Sequence, residues 1–229
     1  MYCIENFSED PTTGNWTLKG KVFDKDNDNW AIDGNTFEFK EKLYILWSGW
    51  EGNENVAQNI YITKLSNPWT IEGNRVLIST PEFEWEKVGT TPLVNEGPEA
   101  LKNSNGQLFV TYSASGCWTD SYTLGLLTLK DDGDPMNLND WKKSNNPIFS
   151  QNQTGGVFGP GHNGFFKSPD GSEDWIIYHA NPEANQKCEN KQSVRMQKFT
   201  WTDDGTPNFG NPASINVPLE KPSGEGTIV

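Results

Sequence analysis

The sequence predicts an all-β protein built from repeated four-stranded units of β-propeller type. Three observations carry this expectation. A polar signature followed by two short apolar strands occurs three times, with signature residues 63 and 66 residues apart. Gly (22) and Pro (14) are scattered as turn punctuation rather than gathered into a linker. No helical periodicity of useful length interrupts the short strands.

The first unit reads Ile32-Asp33-Gly34-Asn35-Thr36-Phe37, a turn near Lys40-Glu41, then Leu43-Tyr44-Ile45-Leu46-Trp47-Ser48. The second reads Asn95-Glu96-Gly97-Pro98-Glu99-Ala100-Leu101, a turn at Asn105-Gly106, then Leu108-Phe109-Val110-Thr111-Tyr112-Ser113. The third reads Gly161-His162-Asn163-Gly164-Phe165-Phe166, a turn at Asp170-Gly171, then Trp175-Ile176-Ile177-Tyr178-His179. Asn59–Lys64, Leu124–Leu129 and Ser193–Phe199 read as third strands. Arg75–Ser79, Asn146–Phe149 and the stretch near Ile215–Val217 read as fourth strands.

A weaker mark follows each unit, at Asn67-Pro68-Trp69, Asn139-Asp140-Trp141 and Pro207-Asn208-Phe209. A further copy, Asn15-Trp16-Thr17, precedes the first unit. Residues 1–24 are therefore expected to be the tail of a unit whose beginning is absent. Residues 25–80, 81–151 and 152–229 are expected to be three blades, the last with a closing segment. Closed propellers have about 4–8 blades, so three and a tail do not close a ring. An open array leaves a bare strand edge and bare aromatic faces.

Composition narrows the partners. The 229 residues include 10 Trp, 12 Phe and 6 Tyr, which excludes a disordered chain. A net charge of −13 repels phosphate backbones, so nucleic acid and anionic membrane are set aside; a neutral polysaccharide is compatible. No apolar run approaches the roughly 18–20 residues that span a bilayer. The start, Met1-Tyr2-Cys3-Ile4-Glu5-Asn6, has no basic n-region and no apolar h-region. Three Asn-x-Ser/Thr sequons, at Asn6, Asn15 and Asn152, favour secretion. The expectation is an extracellular protein whose signal peptide is not in this chain. Three cysteines permit one disulfide and one leftover thiol, and no Cys/His cluster suggests structural zinc.

In a propeller the innermost strands line a central channel, so the signatures cluster in space although far apart in sequence. They contribute Asp33, Glu96 and His162. Two carboxylates and an imidazole at one end of a channel suit glycoside hydrolysis. One carboxylic acid stays protonated to donate to the leaving oxygen; a second activates water or attacks the sugar. Each residue also has a plainer reading. Asp33-Gly34 alone is a hairpin-turn signal, Glu96-Gly97-Pro98 alone a solvated loop, and His162 alone a structural histidine. Their shared place in the repeat favours function. His179, at a strand end, reads as structural.

These residues carry a resemblance. Trp30-Ala31-Ile32-Asp33-Gly34, Leu43–Trp50, Asn95-Glu96-Gly97-Pro98, Thr111-Tyr112-Ser113-Ala114-Ser115 and Gly159-Pro160-Gly161-His162-Asn163 together resemble glycoside hydrolase family 43. Within it they look most like α-L-arabinofuranosidases and exo-arabinanases. The resemblance implies a five-bladed propeller and an inverting mechanism, with a plant arabinan or arabinoxylan as substrate. It implies Glu96 as general acid and Asp33 as the residue that tunes and orients it, raising its pKa through like charge. It places His162 near a central cation or water. No cofactor is then required, although a structural calcium or other cation in the central channel is compatible. The family's first blade and most of its second have no counterpart here, so the base Asp has no matching residue. Trp50, Trp118 and Arg195 could line the sugar pocket. Adjacent blades could bring Cys117 and Cys188 together, leaving Cys3 free or paired elsewhere. A non-catalytic sugar-binding remnant is the alternative, as is a β-xylosidase or endo-arabinanase of the same fold.

Overall fold

The alternation of apolar and polar residues in short runs cut by turns yields strands throughout. The computed structural model describes residues 1–189 and 191–226; Asn190 and the last three residues, assigned above to the final blade, lie outside them. The described residues contain no α-helix. A first hairpin pairs β1 (Tyr2–Glu5) with β2 (Thr17–Lys21). Three antiparallel meanders follow. The first comprises β3 (Ala31–Phe39), β4 (Lys42–Gly49), β5 (Ala57–Asn67) and β6 (Thr70–Ser79). The second comprises β7 (Leu93–Lys102), β8 (Leu108–Ala114), β9 (Thr123–Leu129) and β10 (Trp141–Lys143). The third comprises β11 (Phe158–Lys167), β12 (Asp174–Asn181), β13 (Ser193–Trp201) and β14 (Pro207–Asn208).

The all-β class and the first three strands of each unit agree with the sequence reading. Two fourth strands differ. In the second unit it is Trp141–Lys143 that pairs with Leu127–Leu129, whereas the Asn146–Phe149 stretch makes only one bridge, Leu124 to Phe149. Phe149 instead sets its ring edge-on against Tyr178 of the next unit, 4.8 Å between centroids. In the third unit the fourth strand is Pro207–Asn208, and Ile215 and Val217 are exposed. The apolar stretches stay outside the ladder, and the Trp and Pro-Asn marks make the pairing.

The meanders pack face to face through their apolar sides. Leu46, Ile60 and Ile62 of the first unit bury against a cluster holding Val110, Tyr112, Leu127 and Trp141 of the second. Leu124 and Phe149 of the second bury with Ile176, Tyr178 and Phe199 of the third. The first hairpin lays Met1, Cys3 and Val22 on the other face of the first unit, over Ile45, Trp47 and Tyr61. At roughly 25 cal/mol per Å2, each buried leucine or isoleucine contributes about 1.5–3 kcal/mol, so these interfaces hold the array together.

Polar links repeat along the inner strands. The Ser48 hydroxyl oxygen accepts the Gly97 N–H of the next unit (3.0 Å), and the Ser113 hydroxyl oxygen accepts the His162 N–H of the one after (2.7 Å). One turn deeper, Asn35 donates to Glu99 (2.8 Å) and Thr111 donates to Asn163 (3.0 Å). The inner strands β3, β7 and β11 are thereby neighbours, which brings the three signatures together.

Candidate active site

Each inner strand carries a bulge at its signature. The register slips between Ile32 and Asn35, between Glu96 and Glu99, and between Gly161 and Gly164. At each slip one residue adopts a left-handed conformation: Asp33 (φ 57°), Gly97 (φ 57°) and His162 (φ 48°). A side chain other than glycine in that region is uncommon and is held there by its surroundings. A bulge re-aims a side chain out of the sheet alternation. The strand pairs Ile32–Ser48, Glu96–Ser113 and Gly161–His179 align Asp33 with Gly97 and His162. Glu96 thus stands one residue before the position that Asp33 and His162 occupy in their strands.

Asp33 and His162 meet directly, and Tyr122 links Glu96 to His162. His162 Nε2 lies 3.6 Å from Asp33 Oδ1. Asp33 Oδ2 accepts the Ser48 hydroxyl (2.7 Å) and the Gly97 N–H (3.1 Å). Asp33 therefore grips the peptide directly after Glu96. The Tyr122 hydroxyl donates to Glu96 Oε1 (2.6 Å) and lies 3.5 Å from His162 Nδ1. Tyr122 is fully buried, stacked on His179 with centroids 5.7 Å apart. Gly161 is required beneath it, because a Cβ there would sit 2.3 Å from the ring.

This environment raises the Glu96 pKa above the usual carboxylate value. Burial is the largest cause; the Tyr122 hydrogen bond and the nearby His162 oppose it, and the Asp33 charge raises it by the smallest share. Asp33 thus holds the backbone beside Glu96 through the Gly97 N–H and adds its charge as the smallest of these effects. Burial pushes His179 down to about 4, with His162 adding to the shift, so His179 is neutral at physiological pH. A partly buried carboxyl whose pKa is raised, with one oxygen fixed by a donor, suits proton donation from the other oxygen.

The glycosyl hydrolases family 43 pattern matches residues 1–207. The chain belongs to this family. It is 37% identical over 225 residues to the extracellular exo-alpha-(1->5)-L-arabinofuranosidase of Streptomyces avermitilis, covering 95% of this chain and 45% of that protein. It is 38% identical over 217 residues to alpha-L-arabinofuranosidase 43 of Humicola insolens, covering 92% and 44%. The crystal structure of an alpha-L-arabinofuranosidase from Lactobacillus brevis superposes with a TM-score of 0.86 at 38% identity, covering 95% of this chain and 67% of that one. The chain spans about half the length of the curated relatives it matches.

Other expected contacts of this family-43 chain fall at the rim or away from it. Trp50 stacks on Trp30 (4.8 Å, 22° between planes), just beyond the Ser48–Ile32 pair. Trp118 lies over Gly116 and Gly89, on the loop that leads to Tyr122. Arg195 is engaged elsewhere: its guanidinium donates to the backbone oxygens of Gly156 (3.1 Å) and Ala180 (3.4 Å). Cys117 and Cys188 are disulfide-bonded, and Cys3 is free. Asp120 accepts the Asn185 N–H (2.9 Å) beside that bridge, so the loop carrying Trp118 and Tyr122 is stapled to the third unit. Ser48, Ser113 and Tyr122 were not singled out from sequence.

The described residues do not by themselves assemble a metal site. Among the described residues no group of three or more His, Cys, Asp or Glu side chains is placed to hold an ion. Calcium takes 6–8 oxygen ligands, whereas Asp33 Oδ2 is already occupied by Ser48 and Gly97. Also among the described residues, no helix is long and apolar enough to cross a membrane.

Glu99, deeper between the same strands, offers a pH test. Burial pushes it from 4.5 up to about 7. The folded chain keeps a proton that the unfolded chain releases, so stability is full below pH 4.5 and falls as pH rises to about 7. One unit is worth about 1.4 kcal/mol; discounted for partial solvent access, the loss is about 1–2 kcal/mol. Glu99→Gln keeps an acceptor for Asn35 and removes this loss. Urea unfolding at pH 5 and pH 8 measures it: the variant is expected to gain on the parent at pH 8 only. Equal pH dependence in both proteins would contradict the assignment.

Proposed function

We propose that this chain carries the acid half of an inverting α-L-arabinofuranosidase site acting on plant arabinan or arabinoxylan outside the cell. Glu96 protonates the leaving oxygen from Oε2. Tyr122 holds Oε1, and Asp33 fixes the backbone behind Glu96. His162 acts on Asp33 and on water rather than on a cation. Trp50, with Trp30, and Trp118 form the sugar-facing rim. The observation that carries this reading is Glu96: a partly buried carboxyl with a raised pKa, held by Tyr122 beside Asp33 and His162. The arabinofuranosidase relatives give the sugar.

Inversion also needs a carboxylate base on the opposite face, about 6.5–9.5 Å from the acid. No residue of this chain matches the family's base, so by itself the chain binds arabino-oligosaccharide and turns it over slowly or not at all. In this proposal residues 25–80, 81–151 and 152–229 are three of five blades, and 1–24 is the outer part of another. The third unit's outer face supports a further blade. Ile177, Val194 and Met196 are 38%, 75% and 37% exposed, while their repeat equivalents Leu46, Ile60 and Ile62 are fully buried. The test is to fuse the chain behind the N-terminal part of the Lactobacillus brevis relative. Release of arabinose from a 1,5-linked oligosaccharide by the fusion, with calorimetric binding alone for the chain, is expected. No release from a folded fusion would reject the enzymatic reading. No binding by either protein would reject the sugar site.

A further inference from the structure

We infer that Asn15 is an N-glycan attachment site, the one of the three sequons that the folded chain leaves open. The inference is independent of the glycosidase reading. At Asn152 the side-chain nitrogen donates to the Pro212 carbonyl (2.9 Å), and the side-chain oxygen accepts the Gly155 N–H (3.0 Å) and the Thr154 hydroxyl (3.1 Å). A Cβ on Gly155 would lie 2.3 Å from that nitrogen, so the nitrogen is walled in on that side as well. At Asn6 the nitrogen donates to the Thr13 carbonyl (2.6 Å) and the oxygen accepts the Ser8 N–H (2.9 Å). The sequon's own hydroxyl, Ser8, is paired with Thr13 (2.6 Å). A sugar on either nitrogen would displace a contact that closes its loop.

Asn15 differs in each respect. It is exposed, as are Trp16 and Thr17. Its amide has no side-chain hydrogen bond among the described residues, and neither has the Thr17 hydroxyl. It lies just before β2, with no strand paired across it before the Glu5–Thr17 pair. Its place on the array leaves the site clear. Lys19, four residues on, holds its ammonium 4.3 Å from the Trp69 ring in the β5–β6 turn. That turn is at the far end of β5 from Ala57 and Gln58, which pair with Leu93 and Val94 just before Glu96. A glycan on Asn15 therefore projects from the end opposite Glu96. Asn152, by contrast, pairs with Val157 at the start of the strand that carries His162.

The transfer needs a membrane oligosaccharyl transferase and a lipid-pyrophosphate-linked oligosaccharide. The Asn15 side-chain nitrogen attacks the sugar C1 and forms the N–C1 bond. The C1–O bond to pyrophosphate breaks, the lipid pyrophosphate leaves with the electron pair, and the amide gives up one proton.

The test is secretion of the chain from a yeast host and peptide mapping of the folded, disulfide-bonded fraction, with and without enzymatic deglycosylation. A glycan is expected on the peptide holding Asn15 and on no other. Asn15→Gln and Thr17→Ala are each expected to abolish it; the second leaves Asn15 in place and destroys only the sequon. An unmodified Asn15 in the folded fraction, or a glycan on Asn6 or Asn152, would overturn the inference.

Discussion

Glu96→Gln in the completed ring is expected to lower kcat on an arabino-oligosaccharide by about 10^2–10^4, the usual contribution of a general acid. The amide is isosteric, and its oxygen still accepts the Tyr122 hydroxyl that now meets Glu96 Oε1 at 2.6 Å. What it loses is the proton on the other oxygen. The loss should therefore depend on the leaving group. A sugar alkoxide needs protonation, while a dinitrophenolate departs unaided, so the same variant should cost far less on a dinitrophenyl arabinofuranoside. KM should change little on either substrate, because binding is untouched. Steady-state kinetics on the two substrates decides the matter. Equal losses on both would mean that Glu96 binds or positions rather than donates.

The residues around Glu96 divide into those legible in the sequence and those that were not, and the division has a physical cause. Asp33, Glu96 and His162 stand in a repeat whose apolar strands announce themselves, so their convergence could be anticipated. Ser48 and Ser113 lie at the ends of those same strands, but a serine at a strand end carries no signal. Only the inter-unit bonds to the Gly97 and His162 N–H groups reveal their role. Tyr122 was invisible for a stronger reason. Its reach depends on the path of residues 115–122, which is set by the Cys117–Cys188 bridge and by Asp120, not by any local pattern. The sequence shows one cause of the raised Glu96 pKa and hides the larger one for a related reason. Like charge from Asp33 can be guessed from spacing, while burial, which dominates, belongs to the assembled units.

The same contrast between pattern and assembly applies to the fourth strands. Asn146–Phe149 looked like a strand because it ends in two apolar residues. In the fold, Phe149 is buried between units, against Tyr178 and Phe209, and Trp141 pins the true edge strand through a bond from its indole to the Pro135 carbonyl (2.9 Å). Packing between neighbours therefore overrode local apolar content at this edge.

Lys143→Ala is expected to destabilise the chain by about 3–5 kcal/mol, the cost of leaving a buried charge without its partner. The charge is Glu86, which is fully buried between the 3-10 turn at Glu84–Glu86 and the second unit. Lys143 reaches both its oxygens (2.9 and 3.1 Å) and the Thr80 carbonyl (2.7 Å). The same carboxylate accepts the Tyr112 hydroxyl (2.9 Å) and the Asn95 amide (3.1 Å). Despite burial, the hydrogen bonds from Phe83, Lys143 and Glu82 hold the Glu86 pKa below its ordinary value. Its contribution to stability is thus present at neutral pH and lost as the pH falls through that depressed value. Lys198, whose partner Glu173 lies 2.8 Å away on the surface, is the control. Its alanine variant should cost no more than about 1 kcal/mol. In a chain this long, 1 kcal/mol moves Tm by roughly 2–4 °C, so thermal unfolding at pH 7 separates the two variants clearly. A double change, Glu86→Gln with Lys143→Met, should recover much of the loss by removing both charges. If Lys143→Ala unfolds no earlier than Lys198→Ala, the buried pair does not anchor the second unit. The location of the pair makes the outcome matter for catalysis: Asn95, bonded to Glu86, is the residue immediately before Glu96, so the ion pair under the second unit also fixes where the acid stands.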